Sequence, residues 1–244
     1  MLKITVFLCL ILLATSRVHG QNAILVHSPK QILALEFSLL AGKPRYRVTY
    51  QGVEVIAPSS LGFVFKNQPA LNSNFRLMSN EQRQVNNHWQ KVWGQSREVR
   101  NHFHELRVQL QERSGLNRLL TLIFRVYDDG VGFRYLLPEQ PHLKQFAITA
   151  EQSEFSFAGN YNAWWTPADY DSYEALYRNT PLAKIAAANT PITLTTDDGL
   201  YLSVHEAALT DYAGMTLKQN PSKPHQLLSE LVPWPDGVKV HGQT

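Results

Sequence analysis

Apolar residues at alternate positions recur along most of this chain, which makes the half-buried β-strand its main building unit. Tyr46, Val48 and Tyr50 alternate with polar residues up to Gln51-Gly52, and Val53 and Ile56 resume beyond that turn. Leu106, Val108 and Leu110 repeat the pattern. Leu120, Leu122, Phe124 and Val126 run into Asp129-Gly130 and return through Val131, Phe133 and Tyr135. Ile192 and Leu194 run into Asp198-Gly199 and return through Leu200, Leu202 and Val204. Asp-Gly supplies the positive φ angles of tight hairpin turns, so each pair of runs is predicted to be antiparallel neighbours. Helical periodicity is scarce, and 182–188 is the one compact helix candidate. With 244 residues, 44% of them hydrophobic, and no fixed repeat or Pro/Gly/Ser-rich linker, residues 21–244 read as one all-β antiparallel sandwich domain.

Residues 1–20 read differently. Lys3 precedes an apolar run that is too short to span a bilayer, and small or permissive residues follow at Val18 and Gly20, the pattern of a secretory signal peptide. Cys9, the only cysteine, lies inside that run behind Leu8, where a lipoprotein signal wants a small residue. Removal of the leader leaves no cysteine, which excludes disulfides, thiolate metal sites and cysteine nucleophiles from the exported chain. It also removes Lys3 and Arg17, so 23 basic residues become 21 against 20 acidic ones. A net charge of +1 implies no nucleic-acid-binding face, and no later apolar run predicts a membrane span. At the other end, Val238-Lys239-Val240 starts what reads as a strand just before the sequence stops at Thr244, the mark of a chain belonging to something longer.

The candidate chemistry is mostly acidic or aromatic. Asp169, Asp171 and Glu174 place three carboxylates within six residues, directly after Trp164-Trp165 and Pro167. Such hard oxygen donors suit calcium, which takes six to eight ligands, and they equally suit a surface loop closed by Asx turns. Asp128-Asp129-Gly130 and Asp197-Asp198-Gly199 resemble pieces of calcium loops, although hairpin turns explain both. His102 and His104 share one strand face but lack an evident third zinc ligand. His205-Glu206 reads as an acid/base pair or as the end of a strand. Trp89, Trp93, Trp164, Trp165 and Trp234 offer stacking platforms for sugar rings or core side chains, and composition does not separate the two. No Gly-x-Ser-x-Gly elbow or phosphate-cradling glycine loop is present.

Several strings taken together carry a more specific signal. They are Ser28-Pro29, Ser60-Leu61-Gly62, Trp93-Gly94, Arg100-Asn101-His102 with Glu105-Leu106, the run Phe124-Arg125-Val126-Tyr127-Asp128-Asp129-Gly130-Val131-Gly132-Phe133-Arg134-Tyr135, and His205-Glu206-Ala207-Ala208-Leu209-Thr210-Asp211-Tyr212. In order and spacing, from about Ser28 to Trp234, they resemble the N-terminal domain of glycoside hydrolase family 97, exported bacterial α-glucosidases and α-galactosidases.

The resemblance implies a three-part enzyme: an N-terminal β-super-sandwich, a catalytic (β/α)8 barrel and a C-terminal β domain. This chain then covers the leader and most of the sandwich. The catalytic carboxylates belong to the barrel, so no catalytic residue is expected here and the chain alone is expected to be inactive. The resemblance also implies one metal ligand. The family's N-terminal domain donates a glutamate to an active-site calcium after a Trp-x-Pro and Asp-Tyr-Asp stretch, matched here by Trp165-Thr166-Pro167, Asp169-Tyr170-Asp171 and then Glu174. The expected partners are the barrel and an oligosaccharide substrate, and the family's company suggests the periplasm. The alternatives are a stand-alone secreted carbohydrate-binding module and a purely structural sandwich.

Overall fold

A computed structural model describes residues 23–232, so the leader, Trp234 and the strand read at 238–240 lie outside the described residues. In chain order the first strands are β1 (Ile24–His27), β2 (Leu33–Leu40), β3 (Lys43–Tyr50) and β4 (Val53–Ser60). Short β5 (Phe63–Phe65) and β6 (Gln68–Leu71) precede the long hairpin of β7 (Phe75–Gln90) and β8 (Glu98–Glu112), then β9 (Leu119–Val126) and β10 (Val131–Leu136). The remainder comprises β11 (Ile148–Glu151), β12 (Glu154–Phe157), β13 (Asn162–Trp165), β14 (Arg178–Pro181), β15 (Ala187–Asn189), β16 (Ile192–Thr195), β17 (Tyr201–Val204), β18 (Met215–Asn220) and β19 (Lys223–Leu231). The protein is all-β and antiparallel, as the alternation predicts.

An eight-stranded sheet in the order β1-β2-β3-β4-β12-β19-β18-β15 forms the spine. Its seam is β12, which pairs Phe157 with Ile56 of β4 on one side and Phe155 with Leu227 of β19 on the other. The first half of the spine shares a core with the sheet β10-β9-β8-β7 and the small sheet β11-β5-β6; the second half shares one with the sheet β14-β13-β16-β17. Leu33, Leu35 and Phe37 of β2 point into the first core while Ala34, Glu36 and Ser38 stay half-buried, so a period of two becomes one apolar face. Burying each such side chain contributes about 1.5–3 kcal/mol. Phe155, Trp165, Leu194, Leu217 and Leu227 fill the second core, and Ile56, Phe133 and Leu202 pack against both.

The turns follow backbone chemistry in three ways. Gln51 and Gly52 both take positive φ (49° and 82°), as do Ala41 and Gly42 (50° and 74°), which gives two-residue hairpins of the primed type. A Cβ on Gly42 would meet the Phe75 nitrogen at 3.0 Å, so that turn needs glycine twice over. Of the two predicted Asp-Gly turns, the second has Gly199 at φ 86°, whereas the first has no residue at positive φ. It is a four-residue loop closed by Tyr127 N–H donating to the Gly130 carbonyl at 2.8 Å, a length that needs no left-handed residue. The flanking strands pair as predicted in both cases. The helix candidate at 182–188 forms only a single 3-10 turn (Leu182–Lys184) before the chain extends into β15. Leu182, Ile185 and Ala188 do face one core, but Ala188 reaches it as a strand residue opposite Leu217, so sheet pairing overrides local helix preference.

Charge is built into the first half. The fully buried Arg118 forks onto Glu112 at 2.8 Å through Nε and again through Nη2, and it donates to the Pro69 and Ala70 carbonyls at 2.8 and 2.9 Å. Hydrogen bonding to Arg118 holds the Glu112 carboxyl below its usual range despite burial. Glu105 is also buried; burial pushes its pKa up, but hydrogen bonds from Arg83 and Arg125 outweigh that and lower it.

Candidate functional site

The acidic segment lies in the loop 166–177 that connects β13 to β14 at one end of the second half. Its base is fixed. Trp165 is 4% exposed and its indole N–H donates to Thr180 Oγ1 at 3.0 Å, while Arg178 lies over the ring at 5.2 Å. Ala168 N–H donates to the Ala187 carbonyl at 3.1 Å, and Asn189 N–H donates to the Thr166 carbonyl at 3.0 Å. The Asn189 amide nitrogen adds a bond to the Pro167 carbonyl at 2.9 Å, while its buried Oδ1 has no hydrogen-bond partner among the described residues. The loop is thus stitched to the edge of the spine through β15.

Beyond Pro167 the chain moves into solvent. Asp169 Oδ1 accepts from the N–H groups of Asp171 at 2.9 Å and Ser172 at 3.3 Å, the Asx turn that such a sequence favours. Glu174 N–H donates to Ser172 Oγ at 3.1 Å, which fixes the backbone there. The Glu174 side chain is exposed and its carboxylate has no hydrogen bond or ion pair among the described residues. Tyr170, Tyr173, Leu176 and Tyr177 are exposed on the same loop. Asp169 is committed to its turn, and Glu174 offers two free oxygens. No group of three His, Cys, Asp or Glu side chains able to hold a metal occurs among the described residues. One free carboxylate fits a contribution to a calcium shell completed elsewhere and does not by itself make a site.

The other candidates resolve into structure. His104 Nδ1–H donates to the His27 carbonyl at 2.7 Å, and His102 Nε2 lies 3.2 Å from the Gln84 amide nitrogen. Asp128 accepts from Lys30 N–H at 2.7 Å, and Asp198 accepts from the Thr196 hydroxyl within its turn. Glu206 accepts from Met215 N–H at 3.0 Å and His205 bonds the Glu206 carbonyl, so this pair caps a loop. Of the tryptophans, Trp165 is core, whereas Trp89, Trp93 and Trp164 are exposed.

A polar network at the β11–β12 junction has no signature in the sequence. Glu151 accepts from Ser153 Oγ at 2.7 Å and from the Tyr212 hydroxyl at 2.8 Å, and Ser153 lies 2.8 Å from the Tyr135 hydroxyl. Burial pushes the Glu151 carboxyl above its usual range, and nearby Glu206 adds to that, against the two hydroxyl bonds. Glu151 and Ser153 flank a glutamine in an ordinary polar string, so only the tertiary fold reveals the partners.

The Glycosyl-hydrolase 97 N-terminal family model matches residues 26–236, most of the chain. The chain belongs to glycoside hydrolase family 97. Among solved structures, a family 97 enzyme from Pseudoalteromonas sp. strain K8 in complex with acarbose superposes with a TM-score of 0.85 at 34% identity, over 90% of this chain and 34% of that one. A variant of the Pseudoalteromonas enzyme in complex with panose gives the same figures. A β-arabinopyranosidase shares the fold at a TM-score of 0.77 and 23% identity, over 85% of this chain and 35% of its own. The chain therefore spans about a third of the length of these family 97 structures. Among the described residues no helix is long and apolar enough to cross a membrane.

Proposed function

We propose that this chain is the N-terminal sandwich of an exported, calcium-dependent glycoside hydrolase acting on α-glucosidic or α-galactosidic bonds. Membership of family 97 over residues 26–236 carries the reading. The acarbose and panose complexes of a relative at 34% identity support an oligosaccharide substrate. The catalytic carboxylates reside in a barrel domain of the same polypeptide. There one acid protonates the leaving oxygen, and a second carboxylate activates water or attacks the sugar directly, according to their separation. The leader at 1–20 directs the chain out of the cytoplasm to the periplasm.

This chain contributes position. The β13 and β15 contacts hold the base of the loop 166–177, and Glu174 projects from that stem into solvent, where a docked barrel would be able to reach it. A calcium ion held in part by the Glu174 carboxylate would supply positive charge beside the sugar as the glycosidic bond breaks. Glu174 would supply one oxygen ligand and the barrel the others.

The test is the hydrolysis of maltose-type and α-galactoside substrates by the longer protein, with and without chelator. Activity on one of these that falls on chelation and returns with calcium supports the reading. Glu174→Gln should raise the calcium concentration required. A variant with unchanged calcium dependence removes Glu174 from the ligand set.

A further inference from the structure

Among the described residues, nothing covers the outer face of the sheet β14-β13-β16-β17. Strand alternation turns Ala163, Trp165, Ile192 and Leu194 inward and presents Asn162, Trp164, Thr193, Thr195, Tyr201 and Ser203 outward. Register aligns Trp164 with Thr193 and Ser203 in one row and Asn162 with Thr195 and Tyr201 in the next. Trp164 is 48% and Tyr201 69% exposed. They stand two strands and two residues apart, about 12 Å by ordinary sheet spacings. Between them lie two threonines, a serine and an asparagine. The hydroxyls of Thr193 and Ser203 bond each other at 3.3 Å, which keeps both at the surface.

No acid or base interrupts these six positions. Arg178 on the edge strand β14 lies over the Trp165 ring, on the other side of the sheet. Two aromatic rings separated by neutral hydroxyl and amide groups match a ligand that is uncharged, rich in hydroxyls and apolar on its ring faces. Stacking then comes from Trp164 and Tyr201, and hydrogen bonds come from the residues between them. The exposed Trp89 and Trp93 at the end of the β7–β8 hairpin differ: Lys91 lies between them in sequence and Arg97, Glu98 and Arg100 follow, so their surroundings are charged.

From this placement we infer that the face binds a neutral oligosaccharide chain lying diagonally from Trp164 to Tyr201, as a site without catalysis. The choice of an α-linked glucan as probe rests on the proposed hydrolase function; the site itself rests on this chain alone. It anchors a substrate chain by residues that need nothing from a barrel.

Calorimetric titration of the 244-residue chain with maltotriose tests the inference directly. Millimolar-range binding, insensitive to salt because neither party is charged, is the expected result. Trp164→Ala and Tyr201→Ala should each weaken it about fivefold, and Trp93→Ala should leave it unchanged. Because both rings are exposed, the variants should keep the wild-type unfolding midpoint. In the wild-type chain, maltotriose should also protect one exposed tryptophan from oxidation by N-bromosuccinimide, and Trp164→Ala should abolish that protection. Absence of binding in the millimolar range overturns the site, as does binding that survives both substitutions. Neither result touches the hydrolase reading, which the longer protein's activity decides.

Discussion

The two halves of the spine use one architecture for different ends. The first half closes around Phe37, Leu110 and Phe124 and takes one ion pair into its interior, where Arg118 binds Glu112 and two backbone carbonyls out of water. The second half has a smaller core around Trp165, Leu194 and Leu217; the polar side chains it buries, Asn189, Thr216 and Gln226 among them, are uncharged, and it presents others in the loop 166–177 and on the neutral outer face. The difference separates support from presentation: the exposed loop that carries Glu174 rises from the lesser half, which the larger half backs through the same eight-stranded sheet.

Substitutions can break this contrast or sharpen it. Arg118→Met strands the Glu112 carboxylate out of water and should cost about 3–5 kcal/mol in urea unfolding. A loss under about 1 kcal/mol would mean the first half does not depend on its interior charge. Leu194→Ala in the second core should cost about 3 kcal/mol. It should do so within a single transition, because Ile56, Phe133 and Leu202 pack against both cores. A biphasic curve would show the halves to be separate folding units.

Acidity should distinguish two carboxylates by sign. The Glu112 pKa is lowered, so its contribution is present above about 4.5 and is lost as pH falls through the lowered value. The Glu151 pKa is raised, so its contribution is present in acid and is lost as pH rises from 4.5 through the raised value. The deficit of Glu112→Gln relative to wild type should therefore shrink in acid, whereas Glu151→Gln should gain on wild type as pH rises. Melting temperatures across the range would show both, and parallel curves would refute the assignment.

Two smaller effects concern the presented loop. Asn189→Ala loses the bond to Pro167 but also removes an unpaired buried oxygen, so global stability should change by less than about 1 kcal/mol while limited proteolysis within 166–177 quickens. Glu174→Gln should leave stability within about 0.5 kcal/mol, since the exposed carboxylate bonds nothing among the described residues.

How much of this was legible in sequence follows from the range of each interaction. The β3–β4, β8–β10 and β16–β17 strands were readable because alternation and turn chemistry are local, as Gln51-Gly52 illustrates. The 3-10 turn at Leu182 was not, since the burial of Ile185 and the pairing of Ala188 with Leu217 are decided by a strand about 30 residues away. The acidic segment stood out as composition, and the Asx turn at Asp169 was anticipated from it. The resemblance singled out Glu174 rather than Asp169 or Asp171, and the structure adds that Asp169 Oδ1 closes the turn while the Glu174 carboxylate bonds nothing among the described residues. The Glu151 network and the Arg118 fork left no trace in spacing, because their partners come from separate strands and loops.

One consequence of β12 concerns the order of synthesis. This four-residue strand lies in mid-sheet, yet Ser153 just before it meets Ser229 across a separation of 76 residues. A growing polypeptide thus carries an unzipped seam until nearly the last described strand has emerged, and contacts that distant close slowly. Bare strand edges invite pairing with strangers, so the assembly of this protein is most exposed to error at its geometric centre, during the interval between making β12 and making β19.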